Sequence, residues 1–147
     1  MSIDGQTDDA IRAVLTGTKR IALVGASAKP WRASHGVMRF LLDRGFDVTP
    51  VNPALAGQTI HGCTVVARLA DAAPLEMVDV FRNSSHVAAL VDSAILLGAK
   101  SIWMQLGVID EDAAARARAA GIGVFMDRCP VIEDRRLGLF GPNGPRH

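Results

Sequence analysis

The sequence predicts an α/β fold: a single-domain, doubly wound parallel sheet of about five strands. Three observations carry this. The runs "RIALVG", "FDVTPV", "MVDVF", "SIWMQLG" and "GVFM" have strand length, and most are apolar without alternation, as in strands covered on both faces. Between most of them lie stretches of roughly ten residues whose apolar positions recur at helical spacing. Finally, a chain of 147 residues with 49% apolar side chains suits one continuous core, with no room for a second substrate domain. The domain is expected to span 1–147, with its core over about 19–136 and a flexible Gly- and Pro-rich tail over 137–147 that ends "GPNGPRH".

Taken in order, Thr7 caps a short helix that runs through Leu15 and stops at Gly17, with Asp8 and Asp9 placed where the helix dipole favours negative charge. "RIALVG" is the first strand. Ser34 is the expected cap of the next helix, whose stripe is Val37, Met38, Leu41 and Leu42 and whose end is Gly45. "FDVTPV" is the second strand, closed by Asn52-Pro53. From Ala54 to Ala73 the pattern is irregular: a loop, a short extended piece at Val65 and Val66, and one helical turn near Leu69. "MVDVF" is the third strand. Asn83 or Ser84 caps a helix carrying Val87, Leu90, Val91, Ala94 and Ile95, which Gly98 ends. "SIWMQLG" is the fourth strand. Asp110 caps the alanine-rich "EDAAARARAA", acidic at its start and basic toward its end, and Gly121 stops it before the fifth strand, "GVFM".

Charge and composition narrow the function. A net charge of +1 provides no bulk field for nucleic acid, so any phosphate recognition is local. No apolar stretch approaches the roughly 20 residues of a membrane span, and "MSIDGQTDDA" lacks the basic start and apolar core of a signal peptide. These features point to a cytoplasmic chain without a membrane partner. Cys63 and Cys129 are expected to be reduced thiols, because a domain of this size folds without staples.

In doubly wound sheets ligands bind beyond the carboxyl ends of the strands, where strand order reverses. That rule selects Gly25–Arg32, Asn52–Gly57, Phe81–Ser85, Gln105–Val108 and Asp127–Pro130. The first segment, within "IALVGASAKPWRASHG", is suited to an anion. Gly25 permits a tight turn; Ala26 and Ser27 are small enough for backbone amides to approach a phosphate. The following helix start contributes its dipole, Lys29 and Arg32 full charges, and Ser27 a hydroxyl. Two common nucleotide fingerprints are absent. No Gly-Lys-Ser/Thr follows Gly25, which argues against triphosphate hydrolysis. No third early glycine is present, and the second strand ends in Asn52-Pro53 where a nicotinamide site places a carboxylate for the ribose. Asp47 lies at that strand's start and is expected to face outward.

"VGAS" with its cationic loop, "VTPVNP", "IHG", "VDVFR", "GAKSIWMQLGV" and "MDRCPVIE", in this order, resemble the small stand-alone CoA-binding proteins. These are similar to the amino-terminal CoA-binding domain of the succinyl-CoA synthetase alpha subunit and of ADP-forming acyl-CoA synthetases. The resemblance covers Lys19 to Arg136 and implies a Rossmann-like fold that binds coenzyme A or acyl-CoA. It implies that Gly25, Ala26, Ser27, Lys29 and Arg32 hold the phosphates and that Val51, Asn52 and Pro53 lie beside the adenosine. It also implies that Phe81 and Arg82 contact the nucleotide and that Gln105 and Gly107 flank the pantetheine arm. CoA carries roughly four negative charges on its phosphates, a demand that Lys29, Arg32, Arg82 and the loop amides can meet.

Ligase activity is not inherited with the fold. The synthetases phosphorylate a histidine in a further domain, and none of His35, His61, His86 or His147 stands in a similar motif. His35, beside Ser34 at a helix start, is placed as a phosphate contact. His61 and Cys63 lack a second pair at metal-ligand spacing and are expected to be a loop histidine and a packed thiol. Cys129 at the ligand edge is either a buried filler or a thiol able to form a mixed disulfide with CoA. Trp31 either stacks on adenine or covers the loop base. The expected function is non-catalytic binding of CoA or acyl-CoA. The alternative is an NAD(P)-dependent oxidoreductase or other nucleotide-using enzyme on the same edge. A homodimer or a transient protein partner is compatible with the sequence and demanded by nothing in it.

Overall fold

Strand β1 (Arg20–Val24) lies inside the sheet because both of its faces are apolar, Ile21 and Leu23 serving one core and Ala22 and Val24 the other. In the computed structural model of the protein, which describes residues 3–139, β1 pairs in parallel with β2 (Asp47–Val51) and β5 (Met77–Val80). Strands β6 (Ser101–Met104) and β7 (Gly123–Phe125) continue the sheet, again in parallel. The order is β2-β1-β5-β6-β7, so the winding reverses between β1 and β5 and opens a crevice beyond their carboxyl ends. This is the Rossmann-like α/β arrangement expected from the alternation of strands and helices.

Helices cover both faces. Helices α3 (Val87–Leu96) and α4 (Glu111–Ala119) pack on Val78, Val80, Ile102, Met104 and Val124. Helices α1 (Asp8–Gly17), α2 (Ala33–Asp43) and α5 (Pro130–Leu137) cover the side carrying Ile21, Leu23, Met77, Trp103 and Phe125. The caps expected at Thr7 and Asp110 form: Thr7 accepts from the Ala10 N–H and Asp110 from the Ala113 N–H. Asp47 faces outward as expected, near Arg20 at 3.7 Å.

The cap expected at Ser34 does not form. Ser34 is buried in the first turn of α2, and Arg32 occupies the cap position without a side-chain hydrogen bond. Neither Asn83 nor Ser84 accepts a capping hydrogen bond from α3. Instead the Ser84 hydroxyl accepts from the Ile109 N–H at 3.0 Å and ties the loops after β5 and β6 together. The irregular stretch holds, besides the turn Leu69–Ala72 and a parallel bridge between Val51 and Val66, a small antiparallel hairpin of β3 (Thr59–Ile60) and β4 (Cys63–Thr64).

Helix α5 is an element that the apolar periodicity did not announce. Its inward face is ionic: Glu133 takes Arg128 on one oxygen and Arg136 on the other, and Asp134 takes Arg44 at 3.2 Å. A hydrophobic pattern cannot register a face buried by ion pairing. Arg128 also grips Asp4 through two nitrogens, at 2.7 and 2.9 Å, fastening the N-terminal segment to the end of β7. Burial opposes ionisation of Asp4, but the bonds from Arg128 and from the Gln6 and Met126 amides outweigh it and hold its pKa at about 2. Gly138 closes α5 and Leu139 packs into the core; the rest of the expected tail, 140–147, lies outside the described residues. Among the described residues no helix is long and apolar enough to cross a membrane.

Candidate functional site

The loop after β1 is shaped by one glycine. Gly25 has φ +88°, and a β-carbon there would stand 2.5 Å from the carbonyl oxygen of Phe81. Only glycine lets the β1 and β5 termini approach this closely. Of the two residues whose amides are expected near a phosphate, Ala26 and Ser27, the Ala26 N–H instead points, with that of Gly25, to the Val51 carbonyl, at 3.4 and 3.0 Å. The Asn52 amide donates to the Ala26 carbonyl at 2.8 Å, and its oxygen accepts from the Ala54 N–H. Asn52 therefore straps the β1 loop to the β2 loop. Ser27 then accepts from the Lys29 N–H, a local turn that leads into the start of α2. The amides left for an anion are those further along, at the turn and in the first turn of the helix.

A cavity of about 590 Å³ opens there, lined by Gly25, Ala26, Ser27, Lys29, Arg32, Asn52, Phe81 and Arg82 among the residues expected from sequence. Asn83, within the selected segment Phe81–Ser85, joins them, as do Ser34 and His86, which lie outside the selected segments. Its charged side chains are cationic, and no carboxylate lines it. This donor set fits a polyanion such as the phosphates of CoA. Val51 and Pro53 lie behind Arg82 and His86 in a smaller adjoining hollow. Gln105 and Gly107 line a third cavity, which shares Phe81, Arg82 and Asn83 with the first. His35 lies outside the lining of these cavities. Its ring packs on that of His61 at 4.1 Å, and His61 Nε2 meets the His35 carbonyl at 2.8 Å. The two histidines thus brace α2 against the β3–β4 turn. Trp31 is 76% exposed, with the Lys29 ammonium 6.0 Å from its ring, so it does not cover the loop base.

The β6 loop is held by Asp127, whose carboxylate accepts from the Gly107 N–H at 2.7 Å. Trp103 donates to the Arg128 carbonyl and stacks on Phe125. Cys63 and Cys129 are free thiols; Cys129 is buried at the cavity wall. Burial pushes the Cys129 thiol up, with bonds from the Ile132 and Val131 amides opposing.

Asp79 stands between Leu23 and Trp103 in the sheet register, fully buried, with neither carboxylate oxygen hydrogen-bonded. Burial raises its pKa well above the ordinary 3.8, so the folded state holds a proton that the unfolded chain releases. Its contribution to stability is most favourable below the unfolded pKa and declines as pH rises toward the folded one. An Asp79→Val variant is expected to be more stable at neutral pH by about 1–3 kcal/mol. Urea titrations across pH check this: the stability gain of the variant must grow as pH rises above about 4, and a constant or negative gain would refute it.

Comparison with known proteins gives the family and the fold. A family model described as the CoA binding domain matches residues 19–135. The protein YneT of Bacillus subtilis (strain 168) is 33% identical over 120 residues, spanning 81% of this chain and 87% of its own. The crystal structure of Prb, the PH1109 protein redesigned for binding, superimposes with a TM-score of 0.89 at 39% identity, over 97% of this chain and 99% of that one. A hypothetical protein from Pyrococcus horikoshii OT3 gives 0.87 at 39% identity, over 93% and 96%. The dinucleotide-forming acetyl-coenzyme A synthetase 1 of Ca. Korarchaeum cryptofilum shares the fold alone, with a TM-score of 0.67 and 21% identity over 82% of this chain and 28% of that one.

Proposed function

This chain belongs to the CoA-binding domain family, and we propose that it binds coenzyme A or acyl-CoA without catalysing a reaction on it. The phosphates lie in the cavity between Gly25 and Arg32, held by Lys29, Arg32 and Arg82, by Ser27, and by the amides that open α2. The observation that carries this reading is the concentration of cations and donors, with no carboxylate, at the crevice where the sheet reverses. The 3′-phosphate and adenosine sit against the β2 loop, where Asn52 and Pro53 replace the acidic residue that a ribose hydroxyl pair favours. The pantetheine arm runs along the third cavity past Gln105. Its amides offer N–H donors, and the Gln105 side-chain oxygen there is buried with no partner.

Calorimetric titration with CoA, acetyl-CoA, NAD, NADP and ATP tests the assignment. CoA and acetyl-CoA are expected to bind, with NAD and ATP at least about tenfold weaker, because they lack the 3′-phosphate and its charge-assisted bonds. Tight nicotinamide binding with no response to CoA would instead indicate the oxidoreductase alternative.

A further inference from the structure

We propose that the cavity system continues beyond the pantetheine arm into an acyl subsite, which receives the apolar chain of an acyl-CoA thioester on Ile3, Leu106 and Ile132. The proposal rests on the CoA reading above and specifies the form of CoA that the site takes. It starts from three large apolar side chains that face solvent around one cavity of about 450 Å³. Ile3 is 48% exposed, Leu106 58% and Ile132 50%, while Met126 beneath them is buried. They come from the N-terminal segment, the β6 loop and α5, so no single amphipathic element accounts for the cluster.

Continuity identifies the occupant. The phosphate cavity shares Phe81, Arg82 and Asn83 with the central cavity, and the central cavity shares Leu106 and Cys129 with the one that Ile3 and Ile132 line. A ligand anchored by its phosphates at one end therefore meets, in order, the unpartnered amide oxygen of Gln105, the Cys129 wall, and the apolar cluster. That order of cations, amide acceptor and hydrocarbon matches the order of phosphates, pantetheine amides and acyl chain in an acyl-CoA. The polar side chains at the far cavity are engaged within the protein. Arg128 bonds Asp4 and Glu133, and Asp127 bonds the Gly107 amide. The cavity is therefore of mixed character, and the apolar surface it offers a ligand is that of Ile3, Leu106 and Ile132 beside these engaged charges.

Each methylene fully removed from water strengthens binding by about fourfold, so an eight-carbon chain on an open groove is expected to add at least roughly tenfold. The test is isothermal titration of the full chain with CoA, octanoyl-CoA and free octanoate, repeated for Ile132→Asp and Leu106→Ser. Both substitutions replace exposed side chains and leave the core packing in place. Octanoyl-CoA is expected to bind at least roughly tenfold tighter than CoA, that ratio to fall toward one in each variant, and octanoate alone not to bind. Equal affinity for CoA and octanoyl-CoA overturns the acyl subsite and leaves the CoA reading standing, whereas failure of both ligands overturns both. Octanoate binding by itself makes the cluster a fatty-acid site and overturns the thioester assignment. A change of sedimentation from dimer to monomer in Ile132→Asp, with the ratio unmoved, makes it an interface between copies of the chain and also overturns the proposal.

Discussion

The Lys29→Ala/Arg32→Ala double variant is expected to lose at least about a hundredfold in affinity for CoA. A charge-assisted hydrogen bond contributes about 1.5–3 kcal/mol, and these two side chains are two of the three Lys and Arg residues lining the phosphate cavity. Both are exposed, and neither forms a salt bridge with any described residue. Folding stability is therefore expected to change by less than about 0.5 kcal/mol, so weakened binding cannot be traced to unfolding. The salt dependence supplies a second readout: with fewer ionic contacts, the affinity that remains falls less steeply with added salt. Unchanged affinity would move the phosphates away from this loop. A calorimetric comparison at two salt concentrations, with thermal melts of the same samples, decides the matter.

Gly25→Ala is expected to destabilise the fold by about 2–4 kcal/mol and to remove CoA binding. A side chain at φ +88° is strained, and here its β-carbon also meets a backbone carbonyl at 2.5 Å rather than a flexible side chain. The Phe81 carbonyl cannot simply retreat, because the Phe81 N–H is bonded to the Val24 carbonyl at 2.8 Å. Relief requires separating the ends of β1 and β5, which are the two walls of the crevice. Urea denaturation measures the first effect and titration the second. A stability loss under about 0.5 kcal/mol would show that the close approach is dispensable.

Much of the fold was legible because its determinants are local. The five sheet strands stand out as apolar runs, and the caps at Thr7 and Asp110 form as their side chains suggest. The cationic loop was legible for the same reason: Gly25, Ser27, Lys29 and Arg32 lie within eight residues of one another, and the sheet's handed winding carries them to the ligand edge. The packing of His35 on His61 was not legible, because the two are 26 positions apart. Ser34 was misplaced because a hydroxyl suited to capping can also be buried one residue inside the helix, and only packing decides which. The Ala26 amide was expected to approach a ligand, yet the Val51 carbonyl of the neighbouring strand takes it together with the Gly25 amide.

By itself, then, the sequence determined the order of the five sheet strands and of helices α1 to α4, and it placed the cationic loop at the carboxyl edge of the sheet. These depend on apolar periodicity, glycine placement and charges close together in the chain. Only the tertiary structure decided the ionic burial of α5, the strap from Asn52 to Ala26, the lock of Asp127 on Gly107 and the unpaired carboxyl of Asp79. The same holds for the meeting of Ile3, Leu106 and Ile132 around one cavity. The physical reason is common to all of them. A polar or exposed side chain acquires its role from the partner that folding places beside it, and no period or composition in the chain encodes that partner.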